Sequence, residues 1–147
     1  MKAFAFRLEQ ALRWRGEQAS LQKSRLSAAV GRAAKMNAAL ESGKAEARSA
    51  AAAVKQSPDG AALSAYAGFA ARSKARIHDL EKQTREAEGA LAAEMSRLVE
   101  ANRAVRLLEK LRHTEQDRWR RAFDREIETF AGEAFLHRLQ SRKRTGA

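Results

Sequence analysis

Apolar residues recur at every seventh position through the first third of the chain. Counted from Leu12, the column reads Leu12, Ala19, Leu26, Ala33, Leu40, Ala47 and Val54, all apolar. Three residues further on, Arg15, Gln22, Ala29, Met36, Gly43 and Ala50 form a second, more mixed column. Two columns at this spacing lay a single stripe along a helix and predict a coiled-coil seam. The small residues in the stripe would let a partner helix approach closely.

A second seam runs through the other half. Ile77, Thr84, Leu91, Leu98 and Val105 make one column, and Leu80, Ala87, Glu94, Ala101 and Leu108 the other, with eight of the ten apolar. Between the seams lies VKQSPDGAALSAY. Proline donates no amide hydrogen and pushes the residue before it out of helical geometry, so Pro58 ends a helix. Gly60 permits left-handed backbone, and Ser57 before Pro58 fits an N-cap followed by proline at the first helical position. The spacing therefore predicts helix one over about 4–55, a connection over about 55–61, helix two over about 62–141 and a basic tail at 142–147, all in a single domain.

Two seams joined by a short turn predict an all-α fold: a long two-helix antiparallel coiled-coil hairpin whose C-terminal helix is the longer. A homodimer of long helices is the competing arrangement, though a Pro–Gly break would kink it badly. At a rise of 1.5 Å per residue, helix two would run about 120 Å against roughly 75 Å for helix one. A fold point near Pro58 puts Phe4 opposite about residue 112 and leaves everything from His113 onward as an overhang. There the heptad breaks at Arg112 and Glu115, and an aromatic stripe takes over: Trp119, Phe123, Ile127, Phe130 and Ala134. Such a face calls for a cover, either Phe4 and Phe6 or another protein.

Composition sharpens this picture. The 147 residues hold one proline, no cysteine and only 6% aromatics, which suits long helices better than a globular core. Disulfides and cysteine-ligated metals are excluded. No apolar run approaches the ~18 residues of a membrane span. Twenty-nine Lys and Arg against 18 Asp and Glu give a net charge of +11, which favours an acidic partner: protein, nucleic acid or lipid headgroup. The N-terminal FAFRLEQALRWRGEQ has the alternation of a targeting peptide, but Arg7, Glu9 and Arg13 interrupt any secretory core, and Glu9 and Glu17 count against an organellar presequence. A mature, cytoplasmic chain is the expectation.

Chemistry is hard to find. His78, His113 and His137 stand far apart, with no ligand partner at metal spacing. No phosphate-binding glycine loop occurs, and Glu126 and Glu128 among arginines read as helix-surface charges rather than an acid–base pair. Neither an enzyme nor a cofactor or small-molecule substrate is expected. DRWRRAFDR and RLQSRKR could track phosphates, yet Asp117, Asp124, Glu126 and Glu128 would repel them, so nucleic-acid binding is the weaker reading. Membrane association is weaker still, because both seams would have to face lipid.

Phe4-Ala5-Phe6-Arg7-Leu8-Glu9, followed by Leu12, Arg15 and Gln18, resembles the N-terminal signature of the FliJ family of flagellar export proteins. LEKLRHTEQDRWRRAFDRE, from Leu108 to Glu126, is similar to that family's C-terminal region, and Tyr66 and Phe69 follow the central break as they do there. The similarity spans nearly the whole chain. It implies an antiparallel coiled coil like the central stalk of rotary ATPases, cytoplasmic and peripheral to the inner membrane at the type III export apparatus. The implied partners are the export ATPase ring and the cytoplasmic domain of the export gate, with export chaperones as further cargo. On the resemblance, Phe4, Phe6, Leu8, Trp119, Phe123 and Phe130 would face the ATPase, and Tyr66, Phe69, Ile77 and Leu80 the gate. Ser73 and Arg76 depart from the smaller or more apolar residues expected between them, and ETFAGEAFLHRLQ partly replaces an acidic stretch. The stalk of a virulence-associated type III system is the nearest alternative, and a basic helical nucleic-acid-binding protein the alternative of another class.

Overall fold

A computed structural model describes residues 2–145. Two helices account for nearly all of it: α1, Glu9–Gln56, and the longer α2, Gly60–Thr145, packed against each other. Among the described residues there is no strand. Nor, among the described residues, is any helix long and apolar enough to cross a membrane. The expected all-α hairpin with the longer C-terminal helix is what the chain forms. It divides into two compact units, Gln18–Ala101 and the pairing of Met1–Glu17 with Asn102–Ala147.

In the Gln18–Ala101 unit the helices run antiparallel through a seam of small residues. Ala29, Ala33, Leu40 and Gly43 are buried on α1, and Thr84 and Ala87 on α2. A methyl group added to Gly43 would sit 3.5 Å from Leu80 Cδ1 and 3.7 Å from Ile77 Cγ1, so α2 side chains line the notch that glycine leaves without filling it. Both predicted columns of α2 face the seam, together with both columns of α1 save Arg15. Two polar layers interrupt it. Gln22 is buried and donates from Nε2 to the Glu94 carboxylate, and to the Glu94 carbonyl at 3.3 Å. Arg97 holds the same carboxylate at 2.7 Å. Thr84 Oγ1 is buried with no hydrogen-bond partner. Polar groups of this kind specify register, because a slipped pairing would strand Gln22 and Glu94 among apolar side chains. Arg76 and Glu46, 3.8 Å apart on the surface, pair across the two helices.

The connection differs from the predicted cap. Asp59, not Ser57, caps α2: its Oδ1 accepts from the Ala62 amide at 2.6 Å, and its carbonyl accepts from Leu63 at 2.9 Å. Gly60 is the first helical residue, and no described residue has a positive φ, so the turn uses no left-handed backbone. Pro58 still does what its chemistry requires, since α1 stops at Gln56, before Ser57.

In the other unit, α1 starts at Glu9 rather than near residue 4, and residues 2–6 are not helical. The Glu9 amide donates to the Phe6 carbonyl at 3.2 Å, and a carboxylate in the first turn suits the positive end of the helix dipole. Glu9 pairs with Arg112 at 3.5 Å. Leu12, Val105 and Leu108 are half-buried, whereas Arg15, placed in the second column by its spacing, is exposed with its guanidinium 5.0 Å over the Trp14 ring.

Candidate functional site

The aromatic residues expected to face an ATPase are only partly brought together. Trp119 stacks on Phe123 with ring centroids 5.3 Å apart and planes 8° apart, and Phe4 tilts onto Trp119 at 6.1 Å and 55°. The indole Nε1 donates to the Lys2 carbonyl at 3.2 Å, which pins the N-terminal segment along α2. Phe6 is buried at 8% exposure and Leu8 is exposed. The expected position of Phe4, opposite residue 112, is therefore corrected. Glu9 lies by Arg112, and Phe4 reaches Trp119. Non-helical chain advances up to about 3.3 Å per residue where a helix advances 1.5 Å, so a few residues at the N-terminus cover far more of α2 than a helix would.

The bare part of α2 shrinks accordingly. His113 does not begin it: Glu115, Gln116, Asp117, Trp119, Ala122 and Phe123 are all half-buried. From Asp124 to Arg144 every residue is exposed. Phe130, at 73% exposure, is thus separated from the cluster it was grouped with. Ile127 lies bare beside it, and so do Phe135, Leu136 and Leu139, which the heptad reading missed. Their signal was a run of four-residue steps, Ile127, Ala131, Phe135 and Leu139, adjacent to the stripe that was read. On another side of the helix Arg118, Arg121 and Arg125 line a shallow hollow with Asp124.

The residues expected to face a gate lie in the Gln18–Ala101 unit. Tyr66, Phe69 and Ile77 line a groove of ≈ 340 Å³ floored by Ala47 and Ala70 and rimmed by Lys74, His78 and Glu81. Ser73 forms part of its wall and so opens the groove rather than spoiling it. Leu80 does not belong to it. Its side chain fills the seam against Gly43, where burial between the helices takes priority over any outward contact. Phe69 also borders the hollow beside Glu46 and Ala50, so its ring separates two depressions.

Among the described residues no group of three or more His, Asp or Glu side chains could hold a metal. What the two surfaces offer is apolar and aromatic area with charged rims, suited to binding another macromolecule. Compared with family models, with curated proteins and with solved structures, the chain matches none.

Proposed function

We propose that this chain is a non-enzymatic component of a bacterial flagellar type III export apparatus. It binds the export ATPase ring through one surface and the cytoplasmic domain of the export gate through another, and it escorts export chaperones. It works in the cytoplasm, peripheral to the inner membrane. The observation that carries this reading is the aromatic cluster Phe4–Trp119–Phe123 running on into the bare Ile127 and Phe130. A helix end that is closed by its own N-terminus and then continues uncovered supplies both a rigid base and a free docking face. The groove around Tyr66, Phe69 and Ile77 supplies the second surface, and the N-terminal Phe-x-Phe-x-Leu signature supports the family assignment. Coupling would come from binding alone, with the ATPase supplying the chemistry.

Titration of purified export ATPase with the full chain tests this. Phe123→Ala combined with Phe130→Ala should keep helicity and weaken ATPase binding at least tenfold, the loss of about 1.4 kcal/mol that two truncated aromatic contacts readily reach. Added salt should change the affinity little. Melting of the whole chain by these substitutions would make the aromatics structural and remove the docking face. The hollow lined by Arg118, Arg121 and Arg125 favours a second reading, nucleic-acid binding. In that case affinity for a duplex or single strand would fall steeply with salt through counterion release, and the double substitution would leave it unchanged.

A further inference from the structure

The bare segment of α2, Asp124–Arg144, is divided in charge as well as being apolar. Its first half, 124–133, carries Asp124, Glu126, Glu128 and Glu133 against Arg125 alone. Its second half, 134–144, carries Arg138, Arg142, Lys143 and Arg144 and no acid. Ala131 and Ala134 lie at the middle, on the face that carries Ile127 and Phe135. Phe130 and Phe135 flank them, with Ile127 and Leu139 further out, all exposed. Such a contiguous exposed apolar face calls for a partner.

We infer that this segment pairs with the same segment of a second copy of the chain, antiparallel and crossing near Ala134. In that arrangement the acidic half of each copy lies on the basic half of the other. The small residues at the centre let the backbones approach, and the flanking Phe, Ile and Leu side chains bury one another. A parallel pairing sets acid on acid and base on base along the whole segment, which costs free energy. The two-fold axis makes the contact close on itself, so pairing stops at the dimer. This goes beyond the proposed function. It uses the same face as ATPase docking, so the two compete, and measured without ATPase it stands or falls alone.

Sedimentation equilibrium of the full chain, from micromolar to submillimolar concentration, should show a reversible shift from one chain mass to two. Phe130→Asp with Phe135→Asp should abolish the shift while circular dichroism and thermal unfolding stay as in the parent, since both side chains are exposed. Asp124→Lys with Glu128→Lys should weaken pairing about tenfold or more, and adding Arg138→Glu and Arg142→Glu should restore it, because the four charges beside the apolar face have exchanged sign and still complement each other. The chain has no cysteine, so Ala134→Cys reports directly: it should form an interchain disulfide under oxidation, and Asp124→Cys should not. A single-chain mass at all concentrations, assembly beyond two chains, no rescue by charge exchange, or equal crosslinking at 124 and 134 would each overturn the inference. The last would mean a parallel pair, and salt-sensitive binding of nucleic acid with no self-pairing would give the face another occupant.

Discussion

The two units hold their helices together in different ways. Across Gln18–Ala101 the contact is long and thin: alanines, Leu40 and one glycine on α1, Thr84, Ala87, leucines and an isoleucine on α2, and no side chain fully buried. Each layer contributes little, but the layers repeat, and the Gln22–Glu94 pair fixes their phase. Where Met1–Glu17 meets Asn102–Ala147 the repeat gives out. A few large groups take over, Phe4, Phe6, Trp119 and Phe123, with one hydrogen bond from an indole to a backbone carbonyl. Beyond them, from Asp124 to Arg144, every residue of α2 is exposed. A distributed seam tolerates small losses and fails against a buried charge. A cluster of rings depends on single residues, yet its loss stays local. The face left bare beyond it is the one free to bind.

The largest effect should come from putting a charge into the seam. Leu40 is buried there, and Leu40→Asp should cost about 3 kcal/mol or more, the penalty for an unpaired carboxylate between helices. Urea unfolding followed by circular dichroism measures it. Retention of parental stability would mean that the seam is not what holds the pair together. The same change at Leu26 should cost less than at Leu40, because Leu26 is only half-buried.

Next comes the ring cluster. Trp119→Ala removes two ring contacts and the bond to the Lys2 carbonyl, a loss of about 2 kcal/mol confined to the N-terminal segment. Faster tryptic cleavage after Lys2 and Arg7 with little change in helicity would report it. Global melting would instead join this cluster to the main seam. Phe130→Ala is the matched control and should stay within about 0.5 kcal/mol of the parent, as an exposed side chain should.

The smallest effect has the opposite sign. A Cβ at Gly43 meets Leu80 and Ile77 at ordinary contact distances, so Gly43→Ala should stabilise the chain by about 0.5–1 kcal/mol through helix propensity. Destabilisation would show that the notch is already full.

Much of this could be read along the chain because a seven-residue repeat admits few arrangements. Both columns of α2 and both of α1, save Arg15, lie at the helix interface. The capping residue was not legible: Ser57 and Asp59 are both good N-cap types, and only the hydrogen bond to Ala62 separates them. Leu80 stands in a seam column by its spacing, and only the family resemblance turned it outward. Opposite Leu80 stands Gly43, an open notch that draws the leucine in. No local signal told that residues 2–6 leave the helix, since Phe4, Phe6 and Leu8 read as helix turns or as extended chain alike.

The sequence by itself determined the helical class, the break before Pro58, the inequality of the helices and the change from alanine to aromatic residues late in α2. These are properties of periodicity, backbone chemistry and side-chain size, which act locally or repeat. Only tertiary structure decided how far the N-terminal segment reaches, which ring meets which, and where α2 becomes bare. Those outcomes depend on pairing residues more than a hundred positions apart, and on a segment that covers more of its partner by unwinding than by coiling.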